Sequence, residues 1–154
     1  MTHRETRAFA RTLAAAAAAL LFGSGAPARG QEPLAIPREP SPPGARVYII
    51  SPADGARVRS PVTVLFGLSG MGVAPAGIEF PNAGHHHLVI DAPQPTADRP
   101  IPTDDRHRHF GKGQTETTLE LAPGRHTLQL VLGDRNHVPH DPPLVSKPIT
   151  ITVE

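Results

Sequence analysis

Cysteine and tryptophan are missing from the 154-residue chain, and aromatic residues make up only 4% of it. Without a thiol there is no disulfide, no thioether haem attachment, no lipidated cysteine and no thiolate metal ligand. Strong charge of one sign is missing too. The formal net charge is +1, and Arg4, Arg7 and Arg11 supply basic charge at the very start against Glu5 alone. Beyond residue 28 the balance becomes about −1. A nearly neutral chain with no basic run and few aromatics lacks the electrostatic footprint of a nucleic-acid binder, so that class is set aside. Long apolar runs are also missing. The apolar stretch Leu13–Phe22 is mostly alanine and falls short of the roughly 20 residues that span a bilayer.

That stretch follows the three arginines and precedes Ala26-Pro27-Ala28, small residues where a signal peptidase reads. An ordinary amphipathic helix would carry a polar face, and this one carries none. The order predicts a signal peptide over residues 1–28, cleaved after Ala28 or, as second choice, Gly30. The expected location is periplasmic or secreted, with no membrane anchor in the mature chain. Residues 29–45 hold Pro33, Pro37, Pro40, Pro42 and Pro43 in a short polar segment. Such a composition prefers extended polyproline conformation and reads as a linker. The folded domain is expected over 46–154.

Within it, short apolar runs alternate with Gly, Pro, Asn and Asp at intervals too close for helices. Strands are expected at Val47–Ile50, Val62–Leu68, His86–Ile90, Thr117–Leu121, His126–Leu132 and Ile149–Val153. Val62, Val64, Phe66 and Leu68 share one phase, as do Leu128, Leu130 and Leu132. Ser51–Gly55 and Ala122-Pro123-Gly124 have turn chemistry, the second joining two strands by a tight connection. The pattern predicts an all-β, immunoglobulin-like antiparallel β-sandwich, with an up-and-down barrel as the alternative. Residues 92–115 interrupt it with Pro93, Pro95, Pro100 and Pro102 and no persuasive strand. A loop that long in a compact domain is usually functional or disordered.

Histidine is what the chain has in abundance: nine, all but His3 beyond residue 28. They gather as His85-His86-His87, as His107 with His109, and as His137 with His140, leaving His126 apart. Neutral imidazole offers a nitrogen lone pair near physiological pH. On a strand, His85 and His87 project to one face and can chelate one ion, while His86 goes with Leu88 and Ile90 toward the core. His109 and His137 are the candidates to complete the set. An all-nitrogen site suits Zn²⁺ or Cu²⁺. Cu⁺ would want sulfur, and Met71 is the only sulfur beyond residue 28. A polar strand face has the same His-x-His pattern with no metal at all. His107 and His140 read as surface residues or as supports behind the ligands. His126 reads as a structural residue at a strand entrance, bonded to a backbone carbonyl. Asp91, Asp104 and Asp105 are placed where they could orient imidazoles. No nucleophile elbow, His-Glu-x-x-His helix or phosphate-binding loop is present, so no catalytic residue is assigned.

The segments Ser51–Gly55, Val64–Val73, Gly84–Asp91, His107–Glu116, Pro123–Leu130 and Leu132–His140 together resemble a bacterial exported domain family of unknown function. The resemblance spans residues 51 to 153 and implies a periplasmic single-domain protein without implying an activity. The Gly-His-x-His strand, the Pro-Gly-x-His-Thr-Leu turn and the Asn-His-x-Pro loop are also similar to a wider set of immunoglobulin-like exported domains, a likeness that singles out His85, His87, His126 and His137. Three functions follow as expectations. The first is a periplasmic metal-binding module for buffering, carriage or sensing. The second is a non-catalytic envelope domain with a protein partner, and the third is a metalloenzyme.

Overall fold

The structure is a computed structural model that describes residues 36–154. The expected signal peptide and the first part of the linker lie outside the described residues. Nine strands and no helix occur among those described. No helix there is long and apolar enough to cross a membrane.

One sheet is formed by β1 (Arg46–Ser51), β3 (Val62–Ser69) and β7 (Glu116–Leu119), in the order β1-β3-β7. The other contains β2 (Arg57–Val58), β4 (Gly72–Val73), β5 (Ala83–Ile90), β8 (Gly124–Gly133) and β9 (Ile149–Val153), in the order β2-β9-β8-β5-β4. A further short strand, β6 (His107–His109), pairs with β5. Period-2 alternation drives the two sheets together. Val62, Val64 and Phe66 from the first pack with Leu88, Ile90, Leu128, Leu130, Leu132, Ile151 and Val153 from the second. Each fully buried leucine contributes about 1.5–3 kcal/mol relative to exposure. The all-β sandwich expected from the alternation is therefore the fold. Its main ladders are antiparallel, with short parallel pairings of β2 with β9 and β4 with β5.

Several local expectations are corrected. Residues 92–115 do contain a strand, because His107–His109 hydrogen-bonds to the edge of β5 despite the prolines before it. Strand β5 starts at Ala83 rather than His86, since Gly84 fits where a larger residue would not. A Cβ there would lie 2.6 Å from the Gly133 carbonyl oxygen and 2.8 Å from His140 Cε1. The Ala122–Gly124 turn joins β7 and β8, which belong to different sheets, so it is an arch between layers. The expected linker is docked over part of its length: Ser41 is buried, and Arg38 pairs with Asp141 and donates to the Pro139 and His140 carbonyls.

The second sheet is covered on both faces, which positions the site. All eight residues of β5 are buried. His86, Leu88 and Ile90 face the sandwich core, while Val89 on the opposite face packs with Val131 and Ile101 in a separate small cluster. The cover over that outer face comes from the segments after β5 and after β8, tied down by Ile101 N–H to the His137 carbonyl and by bridges Val131–Val145 and Gly133–Pro139.

Candidate metal centre

Strand geometry brings the histidines together on this covered outer face. His85 and His87 share the phase of Val89 and are 1% and 0% exposed. In the antiparallel β5–β6 ladder His109 lies directly opposite His87, so its ring comes to the same face. On the other side of β5, Gly133 lies opposite His85, and the chain turns there to deliver His137. The rings meet on the outer face of the second sheet, beside its short edge strand β6 and at the end of β8, under the loops that cover that face.

Four rings form one cluster. His85 lies 4.8 Å from His87, 5.0 Å from His109 and 5.0 Å from His137, centroid to centroid. His109 and His137 are 4.7 Å apart, and His87 is 5.0 and 5.9 Å from them. Ring nitrogens of His85, His109 and His137 all lie within 4.8 Å of one another, and His87 Nε2 is 3.0 Å from His85 Nε2. A tetrahedral Zn²⁺ with bonds of about 2.0–2.1 Å spaces its nitrogens by about 3.4 Å. The trio of His85, His109 and His137 is thus open by up to about 1.4 Å, and His109 and His137, only half-buried, have room to close it, while His87 lies outside that trio and meets it through His85.

Two glycines make room for these rings. A Cβ at Gly111 would overlap His109 Cε1 and Nε2, and one at Gly133 would lie 2.9 Å from His87 Nε2. The electrostatics favour the neutral form of three of the rings, His85, His87 and His109. Burial, then the neighbouring His137 and His109, lower the His85 pKa to about 3. Burial, then His85 and His109, lower that of His87 to about 2. His109 is lowered by burial and by His137. Neutral rings have lone pairs to give, yet His85 Nδ1, His87 Nδ1 and His109 Nε2 are buried with no hydrogen-bond partner. The His85–His87 contact accommodates one N–H between two Nε2 atoms. The accepting ring must then carry its proton on an unpartnered Nδ1. A buried unsatisfied donor costs about 1–3 kcal/mol. A cation between the two Nε2 atoms would end their competition for one proton, each ring then carrying its own proton on Nδ1.

The remaining histidines do other things. His86 faces the core, with its ring 5.2 Å from Phe66 and Nδ1 3.3 Å from the Gln114 carbonyl oxygen. His126 bonds the Ala122 carbonyl through Nε2 at 2.9 Å and Asp91 Oδ2 through Nδ1 at 2.7 Å, a structural clamp away from the cluster. His107 is held by Asp104. His140 corrects the surface reading: it is 1% exposed and its two nitrogens lie 3.4 and 3.2 Å from the Leu132 and Ala83 carbonyl oxygens. Neither Asp91 nor Asp104 supports the cluster, since their histidine partners are His126 and His107. Asp105 makes no hydrogen bond to any of its rings among the described residues. Sequence reading missed Asp134, buried beside His137, although Asp-x-Asn-His after a strand is a turn signal that could have found it.

Sandwich and ring cluster define a small all-β domain with a candidate all-imidazole metal centre. The chain belongs to the family described as Domain of unknown function (DUF4399), which matches it over residues 64–154. That span contains all four clustered histidines. No curated protein matches the chain in sequence. Among solved structures it is similar to the Clostridium thermocellum CbhA fibronectin(III)-like modules, with 12% sequence identity and a TM-score of 0.35, covering 71% of this chain and 45% of that chain. The chain thus spans less than half the length of that structure.

Proposed function

We propose that the protein is an exported metal-binding module that takes Zn²⁺ or Cu²⁺ through His85, His87, His109 and His137, for buffering, carriage or sensing in the periplasm. The observation that carries this reading is the buried convergence of four imidazoles with three partnerless ring nitrogens. Buried ring nitrogens are usually hydrogen-bonded, so their grouping around one point supports a bound ion. Imidazole suits both ions, and Met71, the sulfur nearest to hand in sequence terms, packs against the sandwich core on the far side of β5. The export part of the reading rests on the basic, apolar and small-residue order of residues 1–28.

A metalloenzyme stays the third reading, with no residue of the cluster assigned to catalysis. A non-catalytic envelope interaction domain is the second reading, favoured by Ile78 and Phe80, 54% and 62% exposed, which could meet an envelope protein partner. Equilibrium dialysis of the purified protein against micromolar Zn²⁺ and Cu²⁺, followed by metal analysis, separates the two. Close to one retained ion per chain supports the metal module; none leaves the interaction domain.

A further inference from the structure

Asp134 follows directly after β8, between Gly133, which gives room to His87, and His137. It is fully buried. Its Oδ1 accepts the Asn136 N–H at 2.8 Å and the Val138 N–H at 3.0 Å. Its own N–H donates to the Val138 carbonyl at 2.8 Å, and its carbonyl accepts the His137 N–H at 2.9 Å. The loop 134–138 is therefore closed by main chain and side chain together. Within it His137 sits at φ 66°, a left-handed conformation that a residue with a Cβ adopts only at a cost of about 1–2 kcal/mol. Something must hold it there, and the bonds to Oδ1 on either side of it do so.

The other oxygen, Oδ2, is buried with no partner. A half-satisfied buried carboxyl costs stability. An apolar residue at 134 would avoid that cost but could not accept the two amide protons. The residue thus accepts a local penalty in return for the loop geometry.

We propose that Asp134 is the positioning residue of the metal centre: through Oδ1 it templates the 134–138 loop and so sets the His137 ring against His85 and His109. This rests on the metal-binding reading above. Without the acceptor, the Asn136 and Val138 amides turn to solvent, the positive φ relaxes, and the half-buried His137 ring leaves the cluster. The centre then keeps three imidazoles.

The test is Zn²⁺ titration calorimetry and Cu²⁺ electron paramagnetic resonance on the full protein and on D134A, D134N, H137A and D134A/H137A. Losing a group that orients a ligand typically costs ten- to hundredfold in metal affinity. D134A is expected to lose about that much and to show one fewer coordinated nitrogen, as H137A does. D134N keeps an acceptor oxygen and is expected to bind like the parent. The double variant is expected to bind no more weakly than H137A, because Asp134 acts only through His137. A parent protein that binds neither ion contradicts the metal-binding reading itself. If the parent binds, three results overturn the positioning role: D134A equal to the parent, D134N as weak as D134A, or a double variant weaker than H137A. Should D134A not fold, amide hydrogen exchange in the parent decides. Zn²⁺ should slow exchange at Asn136 and Val138, and unchanged exchange there overturns the proposal.

Discussion

His85 Nε2 and His87 Nε2 lie 3.0 Å apart on the buried outer face of β5. Two residues on one strand face stand about 6.5–7 Å apart along the backbone, so the rings have leaned together instead of standing side by side. They leave room beside them for His109 and His137, which arrive from an edge strand and from a loop. The pair supplies the buried half of the candidate centre, and the other two supply its accessible half.

The two phases of β5 predict different consequences for neighbouring histidines. His86 lies in the sandwich core against Phe66, on the face opposite the cluster. H86A is expected to destabilise the fold by about 1–3 kcal/mol and to leave metal affinity unchanged. Chemical denaturation and metal titration of the same variant check both halves. A drop in affinity with stability intact would place His86 in the centre instead.

Gly111 offers a steric test that touches no ligand. An added methyl would overlap the His109 ring, and backbone close by, where Ala76 N–H bonds the Gly111 carbonyl, limits retreat. G111A is therefore expected to push His109 out of the cluster and lower metal affinity by at least about tenfold, within the range for disturbing a ligand's support. Calorimetric titration of G111A beside H109A checks this, and the two should match.

The His126–Asp91 clamp predicts a pH dependence of stability. The Asp91 bond, then the Ala122 carbonyl, raise the His126 pKa above 6.5 against some desolvation. Burial raises that of Asp91, but the Thr127 N–H and then the His126 ring outweigh it and leave it below 3.8. The His126 contribution is fully present below pH 6.5 and is lost as pH rises through the raised folded value. The Asp91 contribution is present above pH 3.8 and is lost as pH falls through the lowered one. H126Q should therefore be less stable than the parent by up to about 1 kcal/mol near pH 5, and the gap should close in alkaline solution. Denaturation midpoints of both proteins at pH 5 and pH 9 measure it.

Legibility in the sequence followed the physics of alternation. Where one face is buried and the other wet, as in Val62–Leu68, period 2 marks both strand and inward phase. The same rule predicts that His85 and His87 project together and that His86 faces the core. It is silent on what covers a second face, so the roof over β5 could not be read. His107–His109 was hidden because a three-residue edge strand takes its structure from the partner's backbone, not from its own propensity. The arch at Ala122–Gly124 has the same turn residues as a hairpin, and only the pairing partners distinguish the two. His140 and Asp134 owe their burial to long-range packing, which turn-rich sequence does not disclose.

Whether four imidazoles hold one metal ion is decided by titration calorimetry of Zn²⁺ and Cu²⁺ into the purified protein and into H85A/H87A. One site per chain is expected in the parent at micromolar or lower dissociation constant, with most of that affinity lost in the double variant and its circular dichroism unchanged. A parent that binds neither ion, or a double variant that binds as tightly as the parent, would contradict it.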